Sequence, residues 1–360
     1  MANLERLVTT LIELIQIDSP SGEEDAIDAE VSSRLNSLGL SVSHDSYNNV
    51  IAKLSGQGPP LLLSAHLDTV EPGRGIKPMV DGEVLRSDGT TILGGDCKAG
   101  LAIVLEGLAS TLESNSGNRA IEVVFTRHEE GGLIGAHHLD LSMISAKEGI
   151  VFDGEGPPNR IVLSAPSQNV VTAEITGRAA HAGLEPEKGI SALLIAAEIL
   201  NRLPLGRIDN ETTANIGWME GGLKRNIIPE RAFIDGEFRS RSNEKLANVE
   251  REFREVFNEV GSKYPEAQID LNIVNTYQAY RVDANSQVVS VVGQALAEMG
   301  LKPVLESTGG GSDANVFIEK GITAIPVGIG VRDFHTTWET ALITEVLQGA
   351  RMCEAVIKAT

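Results

Sequence analysis

Apolar and polar positions along the first half of the chain follow two periods. Leu4, Leu7, Val8, Leu11, Ile12 and Ile15 recur at three- and four-residue intervals. That is the spacing of one helix face and predicts a helix over 2–16. The turn Ser19-Pro20-Ser21-Gly22 follows, then a second helix to about Leu38. Short apolar runs predict strands near 41–46, 50–54 and 61–65. A helix is expected over 98–113, a strand over 120–126, a helix near 132–140 and a strand over 149–153. Strands alternating with helices imply a sheet layered by helices, with functional residues at the carboxyl ends of strands.

The middle of the chain is patterned differently. "QNVVTAEITG" (168–177) alternates as a strand, and a helix covers about 187–202. "TTANIGWME" and "ERAFIDGEFRS" are two strands, "NEKLANVEREFREVFNEVG" is an amphipathic helix, and "AQIDLNIVNTY" is a strand. The order β-α-β-β-α-β is the split ferredoxin-like arrangement. A helix at 285–299 and the run "AIPVGIG" (324–330) then resume the first pattern. The expected fold is α/β, a mixed-sheet domain (1–165 and 278–360) interrupted by an inserted ferredoxin-like domain (166–277).

Length agrees, since 360 residues exceed what one ordinary core organises. The net charge of −20 argues against nucleic acid or an anionic membrane as partner. Cys97 and Cys353 cannot make a disulfide framework. The amino-terminal stretch has no basic region followed by an apolar core, and no run approaches the roughly 20 apolar residues of a membrane span. A cytoplasmic protein is expected.

Candidate chemistry lies where apolar runs stop. "LLLSAHLDTV" ends in His66 and Asp68, which period two points to one face. A carboxylate there can fix the tautomer of a metal-binding histidine; alone, the pair also reads as a polar turn. "ILGGDCKAGLA" gives Asp96 after two glycines, which allow close backbone approach, although an acid there could simply cap a helix. Cys97 has no thiolate partner for a zinc site and reads as packing. "IEVVFTRHEEGGLIGAHH" ends in Glu129 and Glu130. It is not the zincin H-E-x-x-H, because position 132 is Gly132. "IVFDGEG" ends in Asp153, and His335 follows the last strand. Carboxylates converging on one sheet edge need cations to neutralise them, and two divalent ions sharing a bridging acid would do so.

In this order the motifs resemble the two-zinc metallopeptidase family of peptidase T, carboxypeptidase G, acetylornithine deacetylase and succinyl-diaminopimelate desuccinylase. They are Ser-Pro-Ser-Gly-Glu, H-x-D at 66–68, G-G-D-x-K at 94–98, the Glu pair, Asp153, G-x-x-A-H-A-G at 177–183, N-x-I-P at 226–229, "STGGGSDANVF" and His335. "TANIGWMEGG", "GEFRSRS" and "TGGGSDANVF" look most like the peptidase T-like branch.

The resemblance implies a catalytic domain with an inserted lid and dimerisation domain, and two divalent ions per chain, Zn2+ first and Co2+ or Mn2+ as alternatives. Asp96 would bridge them, with His66 and Asp153 on one ion and Glu130 and His335 on the other. Asp68 would orient His66, and Glu129 would be the general base. A cis peptide is implied at Asp96–Cys97. His181, Asn226, Arg239 and Gly310 would bind substrate, His181 reaching the partner's site in a homodimer. Without the resemblance, His181, Asn226 and Arg239 read as turn and strand-edge residues. The implied activity is aminopeptidase action on short peptides, tripeptides first, against two alternatives: an N-acyl amino acid deacylase or desuccinylase, or a silent metal- or peptide-binding relative. His128, where relatives often carry a small residue or Asp, is a departure whose role stays open. His137 and His138 are not expected to be ligands.

Overall fold

The computed structural model of the chain describes residues 1–114 and 116–359. It has two compact units. The first is Met1–Ser164 with Arg281–Ser307 and Ser312–Thr360; the second is Ala165–Tyr280 with Thr308–Gly311. The return of 308–311 to the second unit has no signature in the pattern of the chain. There Gly311 lies against the Tyr277 ring, 2.3 Å from where a Cβ would stand, so a larger residue would have to displace that ring.

The first unit is built on a mixed sheet. Its strands are β1 (Ser41–His44), β2 (Val50–Leu54), β3 (Gln57–His66), β4 (Arg119–Thr126), β5 (Glu148–Gly154), β6 (Arg160–Ala165), β7 (Val304–Ser307) and β8 (Thr323–Gly328). The order across the sheet is β1-β2-β4-β3-β5-β8-β6, with β7 beside β6. The middle strands β4, β3, β5 and β8 are parallel. They read as nearly unbroken apolar runs because both faces are covered. Helices α1 (Leu4–Ile15), α2 (Asp25–Ser37), α3 (Gly95–Ser114), α4 (Ile134–His138), α5 (Gln287–Glu298), α6 (Asp313–Glu319) and α7 (Ile343–Lys358) complete the unit. Every residue of α3 from Gly95 to Thr111 is buried, including the charged Asp96, Lys98 and Glu106.

Two expectations needed correction, and one element was missed. The helix expected near 132–140 is one short turn, because His128 and Leu133 adopt positive φ (55° and 61°) and break the path into it. The expected helix 98–113 is extended back to Gly95, with non-helical backbone at Asp96 and Cys97. A small sheet of Val331–Arg332, Thr340–Leu342, Val84–Arg86 and Met79–Asp81 was not expected, since strands of two or three residues show no period.

In the second unit, Thr212–Gly221, Arg231–Ser240, Ser167–Thr176 and Gln268–Tyr277 lie side by side in that order, all antiparallel. The helices Ala192–Arg202 and Asn243–Lys263 pack on the sheet through Ile195, Ile199, Phe253 and Phe257, against Val171, Ile175, Ile234 and Phe238. This is the ferredoxin-like order that the β-α-β-β-α-β pattern predicts.

Candidate active site

Parallel neighbours bring separate stretches of sequence to one edge. β3 ends at His66, paired in register with Thr126 at the end of β4. Glu129 and Glu130 follow that end, and Asp153 lies near the end of β5 on the other side of β3. Asp96 sits at the start of α3, its peptide to Cys97 cis as the resemblance implies. His335 comes from the loop after β8, with φ 63°.

Asp96 lies between the two histidines. Its Oδ1 is 3.1 Å from His66 Nε2, and its Oδ2 is 3.1 Å from His335 Nε2. His66 Nε2 is also 3.6 Å from Asp153 Oδ1. His335 Nε2 is 2.9 Å from Glu130 Oε1. Glu130 Oε1 is buried, and this ion pair is its contact. Two groups of donor atoms therefore share Asp96: His66, Asp96 and Asp153, which also include Cys97, and Asp96, Glu130 and His335; Glu129 joins His66 and Glu130 in a third.

The electrostatics follow from burial. It raises the carboxyl of Glu129 well above the ordinary range, and Asp153, Glu130 and Asp313 add repulsion. Burial likewise raises Glu130 and Asp153. Asp96 goes the other way: burial opposes its charge, but His335 and His66 hold its carboxyl well below the usual range. His335 is pushed up to about 10, by Asp96 first and then Glu130. Burial opposes charge on His66 as well, yet the acidic groups around it prevail and raise it. Four carboxylates facing two imidazoles form a nitrogen and oxygen donor set that fits divalent cations.

Asp68 differs in detail from expectation. The nearest acceptor for His66 Nδ1 is the main-chain oxygen of Asp68, at 2.9 Å; the Asp68 carboxylate is 3.5 Å away. That carboxylate, fully buried, accepts the main-chain N–H groups of Glu129 and Glu130 and the Ser21 hydroxyl.

Three buried groups beside the site were not singled out from sequence. Glu339 accepts the N–H groups of Gly94 and Asp96, and burial pushes its carboxyl up to about 7. Asp313 accepts the Thr126 hydroxyl; burial raises it too. Lys98 donates to the Ile17 carbonyl at 2.6 Å, and burial lowers it to about 8. Lys98 and Asp313 carried a hint, as members of the motifs G-G-D-x-K and "STGGGSDANVF"; Glu339 carried none. Cys97 is buried with its thiol on the Phe152 carbonyl. His128 sits half-buried, its ring over Gly131, while His138 stacks on Tyr47.

The remaining expected residues belong to the second unit. His181 is exposed, and its Nδ1 accepts the N–H groups of Gly183 and Leu184 at 3.1 Å each. The main-chain oxygen of Asn226 accepts the N–H of Ala182. Arg239 holds Glu237 with Nε and Nη2, both at 2.8 Å. Gly310 donates its N–H to the Thr308 hydroxyl.

The chain is similar to known proteins over its whole length. The peptidase dimerisation domain of the M20 family matches residues 169–265, and peptidase family M28 matches residues 49–190. The uncharacterised protein YqjE of Bacillus subtilis is 39% identical, over 99% of each chain. The aminopeptidase PepT of Bacillus cereus has a solved structure that is 38% identical, covers 99% of this chain and 98% of its own, and superimposes with a TM-score of 0.86. A tripeptidase of Staphylococcus aureus is 34% identical over 99% of this chain and 98% of its own, with a TM-score of 0.92.

Proposed function

The chain belongs to the M20 peptidase family, in its peptidase T-like branch, and from that premise we propose that it is a two-zinc aminopeptidase releasing the N-terminal residue of tripeptides. Hydrolysis of short peptides by a metallopeptidase is the activity the relatives support. The observation that carries the two-ion reading is the double-faced Asp96, one oxygen toward each histidine. In this proposal His66, Asp153 and Asp96 hold one ion, and Glu130, His335 and Asp96 the other. The ions, when bound, would supply Lewis acidity that lowers the pKa of a water toward neutrality and offsets developing negative charge.

The chain's own residues do the rest. Glu129 is buried beside the donor atoms, and burial raises its proton affinity. That suits a base that takes a proton from the attacking water and returns it to the leaving amine. His181 accepts two N–H groups on Nδ1, so the neutral ring carries its proton on Nε2. In a homodimer through the second unit, that N–H would polarise the scissile carbonyl in the partner's site. Asn226, Arg239 and Gly310 would hold the peptide, Arg239 by its C-terminal carboxylate. A cytoplasmic location fits peptide turnover, and no described helix is long and apolar enough to cross a membrane.

The test is a panel of free tripeptides, N-acetylated tripeptides and N-acyl amino acids, with metal content measured on the same sample. Hydrolysis of free tripeptides alone, lost on chelation and restored by zinc, is expected. Preference for N-acyl amino acids would make the protein a deacylase, and full activity after exhaustive chelation would remove the two-ion reading.

A further inference from the structure

The loop that carries His335 ends four residues later in Glu339, and both residues reach Asp96. His335 meets its side chain, with Nε2 3.1 Å from Oδ2. Glu339 meets its main chain: Oε1 accepts the Asp96 N–H at 2.9 Å, and Oε2 accepts the Gly94 N–H at 2.8 Å. Glu339 is 1% exposed, on a stretch where Trp338 is 80% exposed. Burying a carboxylate is costly unless hydrogen bonds compensate, and here its two oxygens take two main-chain donors from one short segment.

The glycine pair before Asp96 belongs to the same arrangement. Gly94 has φ 71°, a left-handed conformation. A Cβ on Gly95 would lie 3.2 Å from Glu339 Oε1 and 3.0 Å from the Val331 methyl groups. Gly95 thus lets this backbone approach both Val331 and Glu339, while Gly94 supplies the left-handed turn whose N–H reaches Glu339.

We propose that Glu339 is the positioning residue of the bridging carboxylate, fixing the backbone from which Asp96 presents one oxygen to each histidine. This rests on the two-ion reading above. A single ion needs only one Asp96 oxygen in place, whereas a pair needs both at once. Loss of Glu339 should therefore weaken binding of the second ion more than the first. Glutamine cannot substitute. It offers one acceptor and turns an amine donor onto the other N–H. Aspartate keeps both acceptors on a stem one methylene shorter.

The experiment is stepwise Zn2+ loading of the metal-free full-length protein against a competing chelator, for wild type, Glu339→Gln and Glu339→Asp. Electron paramagnetic resonance of the Mn2+-loaded proteins reads whether two ions are coupled. Wild type should take two ions per chain. Glu339→Gln should bind the first as wild type does and the second about 10- to 100-fold more weakly, the usual effect of removing a group that orients a ligand. Its Mn2+ spectrum should change from a coupled pair to isolated ions. Glu339→Asp should fall between, and it carries the test if Glu339→Gln does not fold. A stabilising role alone would lower the melting temperature and leave the pair coupled. Wild-type affinity for both ions in a folded variant overturns the proposal. Fewer than two ions in wild type overturns the two-ion reading instead.

Discussion

The carboxylate of Asp68 holds the main chain of Glu129: Oδ1 accepts the Glu129 N–H at 2.9 Å, and Oδ2 takes the N–H of Glu130 at 3.1 Å. The Ser21 hydroxyl completes the set at 2.6 Å. One buried acid thus fixes where two neighbouring glutamates leave the sheet edge. Both lie in the turn after β4, so pinning the two amides fixes the backbone from which both side chains leave.

Asp68→Asn turns an amine donor onto one of these N–H groups. His66 keeps its partner, because its Nδ1 is nearest to the Asp68 main-chain oxygen. The expected outcome is a fall in kcat of about tenfold or more, since a lost buried hydrogen bond of about 1.5 kcal/mol corresponds to that factor. KM and retention of the ion at His66 should change little. Steady-state kinetics with zinc analysis decides. Loss of that ion with unchanged kcat in fully reloaded protein would mean that Asp68 acts through His66 alone.

The metal-free protein should lose stability as pH rises. Burial raises the carboxyls of Asp153 and Asp313 and pushes Glu339 up to about 7. Each binds more protons folded than unfolded between its ordinary value near 4 and its folded one. Their contribution is complete below about pH 4 and lost as pH rises through the folded values. His335, pushed up to about 10, adds a loss in the same direction above its ordinary range. The lowered carboxyls of Asp68 and Asp96 act oppositely, but only below about pH 4. The melting temperature of chelated protein should therefore fall from pH 5.5 to pH 8, and zinc should flatten the slope by replacing protons as the neutralising charge. A chelated protein whose melting temperature rises over this range contradicts this account of the cluster.

What could be read from the chain alone was set by where apolar runs stop. His66, Glu129, Glu130 and Asp153 each close or follow a buried strand, so parallel pairing brings them to one edge. His335 could be noted as a histidine after the last strand, but its role came only from the resemblance, because a loop histidine has no period to mark it. Glu339 and Asp313 stayed hidden for other reasons. Glu339 stands in the polar loop "FHTTWET", where an acid reads as solvated. Asp313 follows the capping Ser312 at the start of α6, where an acid is expected for the helix alone. The turn at 128–133 misled in the opposite sense, because "GGLIGAHH" shows helical composition but not the left-handed backbone at His128 and Leu133. Their positions depend on contacts across the fold that no local pattern encodes.

The two glutamates should separate by what they lose. Glu130 Oε1 lies 2.9 Å from His335 Nε2, within the donor group that shares Asp96. Glu129 belongs instead to the group with His66 and Glu130, and it is the more strongly raised of the pair, by burial and then by Asp153 and Glu130. A ligand must stay ionised, whereas a base must carry a proton part of the time, so the stronger proton affinity belongs with the base. Glu129→Gln keeps size and hydrogen bonding but cannot accept the proton. It should retain both ions and near-normal KM while kcat falls by about 10²–10⁴-fold, the usual worth of general base catalysis. Glu130→Gln should lose affinity for one ion, and excess zinc should restore part of the rate. Metal content and kinetics on the two purified variants distinguish the roles. Loss of an ion in Glu129→Gln with both retained in Glu130→Gln would exchange the assignments, and unchanged metal and rate in both would move the reaction away from this strand end.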